Sequence, residues 1–333
     1  MIIMSLSPGK PWPKIKAYLS RFLLLLCLWW SIGALRADQE VFSFDSFSVH
    51  AQQELSVSMQ RIALLLDDRI AELQMKVGIY PAEKPDIYIV QGEAEYQKLS
   101  LGKAEIVEFS DAFFSSSENR IYIRSGEQIH QNYLKILLHE YIHWYLEELF
   151  TDAPLWFHEG MATYHSGQLG YDRYLLYIRE SFLGKKSDLY RMSYRYPTSR
   201  EDWPMFYVSS AMALRFMEEK HPLAWQRFWD TVSQSHRQGQ KIRFNQAFFS
   251  SYGLSMYDFT LQFERYSKRQ GYLYLIVALN SVIFLCLPFV MLLVAAKRRR
   301  KMRALPELEL PDEPSEKEAE STADDEEKPE ALL

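Results

Sequence analysis

Two histidines four residues apart, His139 and His143, enclose Glu140 in the run His139-Glu140-Tyr141-Ile142-His143. On an α-helix such residues share a face, so both imidazoles can aim a nitrogen at one point, while Glu140 projects about 100° round the axis, beside it. The pattern offers two metal ligands and a base. A zinc ion held this way needs a third protein ligand and an open position for water, whose pKa it lowers toward neutrality. A carboxylate next to that water can take its proton and pass it to a leaving amine. Downstream, the chain turns at Pro154 into Leu155-Trp156-Phe157-His158-Glu159-Gly160-Met161-Ala162, fifteen residues separating Glu159 from His143. A second helix there could fold back and supply Glu159 as the third ligand.

Cysteine usage narrows the choice of donors. The only two cysteines, Cys27 and Cys286, both lie in apolar terminal segments, so the middle of the chain has neither a disulfide framework nor a thiolate site. Any metal there is held by His, Asp or Glu. The 333 residues, 48% hydrophobic and 24% charged, suffice for one or two domains with a sizeable core. The net charge of -5 conceals a sorting: residues 1–37 hold five Lys/Arg and no acid, 297–303 hold six, and 304–333 hold twelve acids against two lysines. Residues 38–270 are therefore mildly acidic and lack a Lys/Arg cluster, which excludes a nucleic-acid face.

The elements that must position these residues read as α+β: a small mixed sheet followed by a mostly helical lobe. Alternation predicts a strand over Val41–Ala51, and helical spacing predicts a helix over Gln52–Val77, broken by Pro81 and Pro85. Strands are expected at Asp86–Val90, Ala104–Phe109 and Asn119–Arg124, with a helix at Gly92–Leu99. The metal helix runs over Gln131–Phe150 and the second over Leu155–Ser166. Phe206–Glu219, Leu223–Gln234 and Tyr257–Ser267 are the clearest later helices. Asn119–Arg124 reads either as an edge along which an extended peptide could pair or as an ordinary internal strand. His50, His130, His165, His221 and His236 show no partner at ligand spacing.

At the metal-helix residues the sequence resembles the gluzincin-type zinc metallopeptidases, within them the peptidase MA-like domains, whose pattern is HExxH followed by P-x-W-x-x-E-G-x-A. Pro154, Trp156, Glu159, Gly160 and Ala162 match, and the resemblance covers Val41 to Arg269 in order of elements. It implies a zincin-like lobe in which His139, His143 and Glu159 bind Zn2+ and Glu140 is general base and acid. His158 competes as a ligand, although the position before the glutamate is variable in that pattern. Phe206-Tyr207-Val208-Ser209-Ser210-Ala211-Met212 resembles the helix whose tyrosine hydroxyl donates to the oxyanion, making Tyr207 a catalytic candidate; a core role is the alternative in a chain of 21 tyrosines. The fifteen-residue gap is shorter than in thermolysin or the aminopeptidases. A Gly-x-Met-x-Asn segment gripping a free substrate amine is missing, which favours an endopeptidase.

The ends give an address. Residues 1–37 have the basic, apolar and small-residue order of a secretory signal, or of a short N-terminal anchor if uncleaved. Tyr272–Ala296 is uncharged over 25 residues and runs into Lys297-Arg298-Arg299-Arg300-Lys301, the mark of a membrane span with a cytoplasmic stop. The expected organisation is thus leader 1–37, extracytoplasmic peptidase-like domain 38–270, transmembrane helix 271–296, and a cytoplasmic basic stop with an acidic tail, 297–333, too poor in apolar residues to fold alone. The expected partners are a peptide or protein substrate, the membrane and a cytoplasmic partner of the tail, not nucleic acid. The rival reading is a catalytically silent ectodomain that binds envelope partners.

Overall fold

The computed structural model describes residues 40–52, 54–101, 111–125, 132–182 and 188–303. The leader, Cys27, the strand expected at Ala104–Phe109, His130 and the acidic tail beyond Arg303 lie outside the described residues. Two compact units divide between Tyr274 and Leu275.

The first unit opens with a hairpin, β1 (Glu40–Ser43) and β2 (Ser48–Ala51), where one strand was expected. The reversal at Phe44–Phe47 is closed by Phe44 N–H donating to the Phe47 carbonyl at 2.9 Å. Asp67 fastens it from outside, its carboxylate accepting from Ser46 N–H at 2.9 Å. Alternation alone does not register such a turn, because the apolar period resumes after it. Helix α1 (Val57–Val77) begins later than the apolar spacing implied, since Ser56 caps it by accepting from Met59 N–H at 3.3 Å. It ends at Gly78, whose φ of 76° suits a residue without a β carbon.

After α1 come β3 (Asp86–Val90), α2 (Glu93–Ser100), β4 (Ala112–Ser115) and β5 (Arg120–Arg124), completing a five-stranded mixed sheet in the order β1-β2-β3-β5-β4. β5 is parallel to β3 and antiparallel to β4, so the strand read as a candidate edge is internal. The edge is β4. Four residues of Ala-Phe-Phe-Ser carry too little alternation to announce a strand, and the pairing with β5 makes it one.

Helix α3 (Tyr133–Leu149) buries Leu137, Leu138, Tyr141, Ile142, Trp144, Tyr145 and Leu146 in the core, while Lys135, His139, His143 and Glu147, each one turn apart, share another face. Three of its aromatic residues carry polar atoms that are tied to neighbours. Trp144 Nε1 donates to Asn119 Oδ1 at 2.7 Å, Tyr145 OH donates to the Ile79 carbonyl at 2.9 Å, and Tyr141 OH accepts from Gln74 at 2.9 Å. These bonds fix the rotation of α3 about its axis, because each ring would otherwise bury an unmet polar atom.

The chain then forms α4 (Leu155–His165), α5 (Tyr171–Phe182), an irregular strap with 3-10 turns at Arg191–Ser193 and Arg200–Asp202, α6 (Trp203–Lys220), α7 (Pro222–Arg237) and α8 (Phe244–Tyr252). The last helix, α9, covers Met256–Arg303. Helices α4 and α6 touch at Gly160, where an added β carbon would sit 2.6 Å from the backbone oxygen of Ser210. Only glycine permits that approach. Behind it, Phe150, Trp156, Phe157, Phe228 and Phe244 interlock, with neighbouring ring centroids from 4.7 Å apart at Phe157–Phe244 to 6.1 Å at Trp156–Phe244. Trp156, the tryptophan of the sequence pattern, is wholly buried there and also stacks on Phe259. Each such ring stabilises the fold by about 1.5–3 kcal/mol.

In the second unit, the α9 residues from Leu275 onward are predominantly apolar and exposed up to the basic run at Lys297. The most apolar eighteen-residue window of α9 has a mean hydropathy of 2.6 and none of it is buried. By length and composition this helix is a candidate membrane span.

Candidate metal centre

α3 and α4 bring His139, His143 and Glu159 together: one ligand atom from each lies within 4.8 Å of the others. The two histidine Nε2 atoms are 3.1 Å apart, one helical turn separating their residues. Glu159 places Oε2 3.4 Å from His139 Nε2 and Oε1 3.7 Å from His143 Nε2. Its side chain is only 3% exposed. Two imidazole nitrogens and a carboxylate converging on a point is a donor set suited to zinc. The carboxylate oxygen Oε2 is buried without a hydrogen-bond partner, an orphaned acceptor that a cation would satisfy.

Glu140 lies on the same helix but turns elsewhere. Its Oε2 accepts the backbone N–H of Phe114, on edge strand β4, at 2.9 Å. Burial pushes its carboxyl up to about 7; His139 and the Phe114 N–H counteract this, and Glu159 adds to it. For Glu159, burial is overcome by His143, His139 and the Tyr196 hydroxyl, which hold the carboxyl near 2. Two carboxylates in one site are thus driven apart, one kept as an anion and one set to exchange a proton near neutrality. Burial draws His143 down to about 3 against the pull of Glu159, leaving a neutral imidazole of the kind a metal requires. Burial also opposes the charge on His139, but its bond to Glu159 and the two nearby carboxylates raise it on balance.

The group forms part of a cleft of about 1340 Å³ bounded by α3, β4, the start of α5 and the strap. Tyr207, on α6, lines this cleft with its ring centroid 6.4 Å from that of His139. Burial first, then Glu159 and Glu140, raise its phenol pKa, so the hydroxyl keeps its proton. His158 also lines the cleft and stacks on His143 at 5.8 Å, outside the three-residue group. The other described histidines are placed apart from it: His50 pairs with Asp86 at 2.9 Å, and His221 packs on Phe216 and Tyr252.

One site residue was not read from the sequence. Tyr196, on the strap, donates its hydroxyl to Glu159 Oε1 at 2.6 Å and stacks on Trp203 at 5.4 Å. It orients the carboxylate from behind, as an outer hydrogen-bond partner of a metal ligand does. Nothing in its local sequence marks it, because the contact spans 37 positions.

No protein-family model matches the chain, and a search of curated proteins returns no match. Among solved structures, the chain is similar to a two-domain M1 zinc metallopeptidase, a mutant bound to L-arginine, at 13% identity and a TM-score of 0.37. The alignment covers 70% of this chain and 51% of that one, so the chain spans about half the length of this structural neighbour.

Proposed function

We propose that the chain is a membrane-anchored zinc metallopeptidase of gluzincin type, acting as an endopeptidase. The observation that carries this reading is the convergence of His139, His143 and Glu159 beside Glu140 in an open cleft. His139 Nε2, His143 Nε2 and a Glu159 carboxylate oxygen would hold the ion. Zinc, when bound, supplies a Lewis acid that polarises a carbonyl and lowers the pKa of water.

The chain's own residues account for the rest. Glu140, near neutral pKa and next to His139, accepts a proton at its carboxylate and returns it to the leaving amine. Tyr207 keeps its phenolic proton and donates it as a hydrogen bond to negative charge developing on the substrate carbonyl oxygen. Edge strand β4, whose Phe114 N–H already faces Glu140, offers a backbone rail for an extended peptide. The span is the part of α9 over residues 271–296, with the basic run after Ala296 on the cytoplasmic side and residues 38–270 on the other.

Glu140→Gln in the full-length protein should keep zinc and lose peptide cleavage by about 10³-fold. Zinc retention with undiminished cleavage by purified mutant protein would end this mechanism. Zinc without cleavage in the wild type would favour a silent peptide-binding ectodomain.

A further inference from the structure

Arg173 lines the same cleft from the first turn of α5, and its pairing differs from that of two other arginines in the helical lobe. Arg179 meets Glu180 at 2.7 Å and Arg215 meets Glu219 at 2.6 Å. Among the described residues, the ion-pair partner of Arg173 is Asp172 at 4.0 Å, a neighbour whose side chain is 83% exposed. Its Nη1 is buried, yet it has no hydrogen-bond partner among the described residues. A guanidinium forks two parallel donors toward a carboxylate, and a buried donor left unmet is costly unless a ligand meets it.

Its location says which ligand. The guanidinium sits 5.9 Å from the centroid of Tyr207, whose ring lies 6.4 Å from that of His139. An extended peptide advances about 3.3–3.6 Å per residue, so Arg173 is within roughly three or four residues of a bond placed at the metal centre. Lys135, one helical turn before His139, and Arg195, on the strap, line the cleft as well. Among the acids lining the cleft, Asp111 and Asp172 each lie 4.0 Å from an arginine, Arg124 and Arg173, and the others are engaged. Glu147 accepts a bond from Ser116, and Glu140 and Glu159 belong to the centre itself.

We propose that Arg173 is a specificity-determining residue that binds a carboxylate of the peptide substrate a few residues from the scissile bond, with Lys135 and Arg195 adding to the attraction. This rests on the peptidase reading and names its substrate class. The carboxylate has two sources, an acidic side chain or the free C-terminus.

The test uses full-length, zinc-loaded protein in detergent and two peptide sets. One compares Glu and Asp with Gln, Asn and Lys on either side of the cleaved bond in C-terminally amidated peptides. The other compares free with amidated C-termini in peptides lacking acidic side chains. The wild type should prefer the carboxylate member of one set by about tenfold or more in kcat/KM, and which set responds identifies the source. Arg173→Gln should bring that ratio near unity, Arg173→Lys should keep part of it, and Arg173→Glu should turn preference toward lysine-bearing peptides. The same ordering should appear as dissociation constants of uncleaved peptides on the Glu140→Gln background, where turnover plays no part. Cleavage by the wild type with no carboxylate preference, or a preference unaltered in Arg173→Gln and Arg173→Glu, overturns the assignment and leaves the peptidase reading standing. Failure of the wild type to cleave any peptide removes both.

Discussion

The candidate metal centre is supported from two sides that differ in kind. On one side α3 and α4 hold His139, His143 and Glu159 through a packed core: α3 buries its apolar face there, and Gly160 lets α4 lie against the α6 backbone. On the other side the strap over residues 188–202 has little regular structure, with two short 3-10 turns, and reaches the centre through the Tyr196 hydroxyl. Few of its residues are buried, Leu189 and Met192 among them. The difference teaches that ligand position is set by packing, whereas ligand orientation is set by one hydrogen bond from a locally weak segment.

Gly160→Ala strikes the packed side and should have the largest effect. A β carbon 2.6 Å from the Ser210 oxygen meets backbone, which cannot swing away, so α4 must shift with Glu159 on it. Stability should fall by about 3 kcal/mol, read by denaturant unfolding, and zinc binding should weaken with it. Tyr196→Phe strikes the strap. It should weaken zinc affinity by about 10–100-fold in competition with a chelator, and should alter the fluorescence of Trp203, on which Tyr196 stacks. If Gly160→Ala left zinc affinity intact while Tyr196→Phe abolished folding, the two sides would have been assigned the wrong way round.

A smaller effect sharpens the packed side alone. His165, the last residue of α4, is drawn down to about 4 by burial and by Lys76. Between pH 6.5 and 4 the unfolded chain therefore binds a proton that the folded chain does not, and stability falls as pH drops through that window. The loss should be about 2 kcal/mol between pH 7 and pH 5, and His165→Gln should flatten it in chemical unfolding at those two pH values.

The packed side was also the side the sequence could announce. The i, i+4 histidines and the Glu159-Gly160 pair are local patterns, and the helices bearing them follow from apolar spacing over a dozen or more residues. Their structural bounds, Tyr133–Leu149 and Leu155–His165, fall within two residues of the expected ones. The edge role of β4, the Tyr196 bond and the open donors of Arg173 arise from approaches between distant stretches of chain. β4 is four residues long, Tyr196 is one of 21 tyrosines, and Arg173 is read as unusual only once its missing partners can be counted. The hairpin at Phe44–Phe47 escaped for a different reason: alternation resumes after the turn, and a one-residue shift of phase, from Phe42 and Phe44 to Phe47, Val49 and Ala51, is its only mark.

The central claim is that Glu159 completes the metal site from α4. Metal analysis of the purified full-length protein, after equilibration with zinc and removal of excess, tests it most directly. The account predicts about one zinc per chain in the wild type and little in either His143→Ala or Glu159→Ala, each variant checked for native helix content. Wild-type zinc content in folded Glu159→Ala would contradict it.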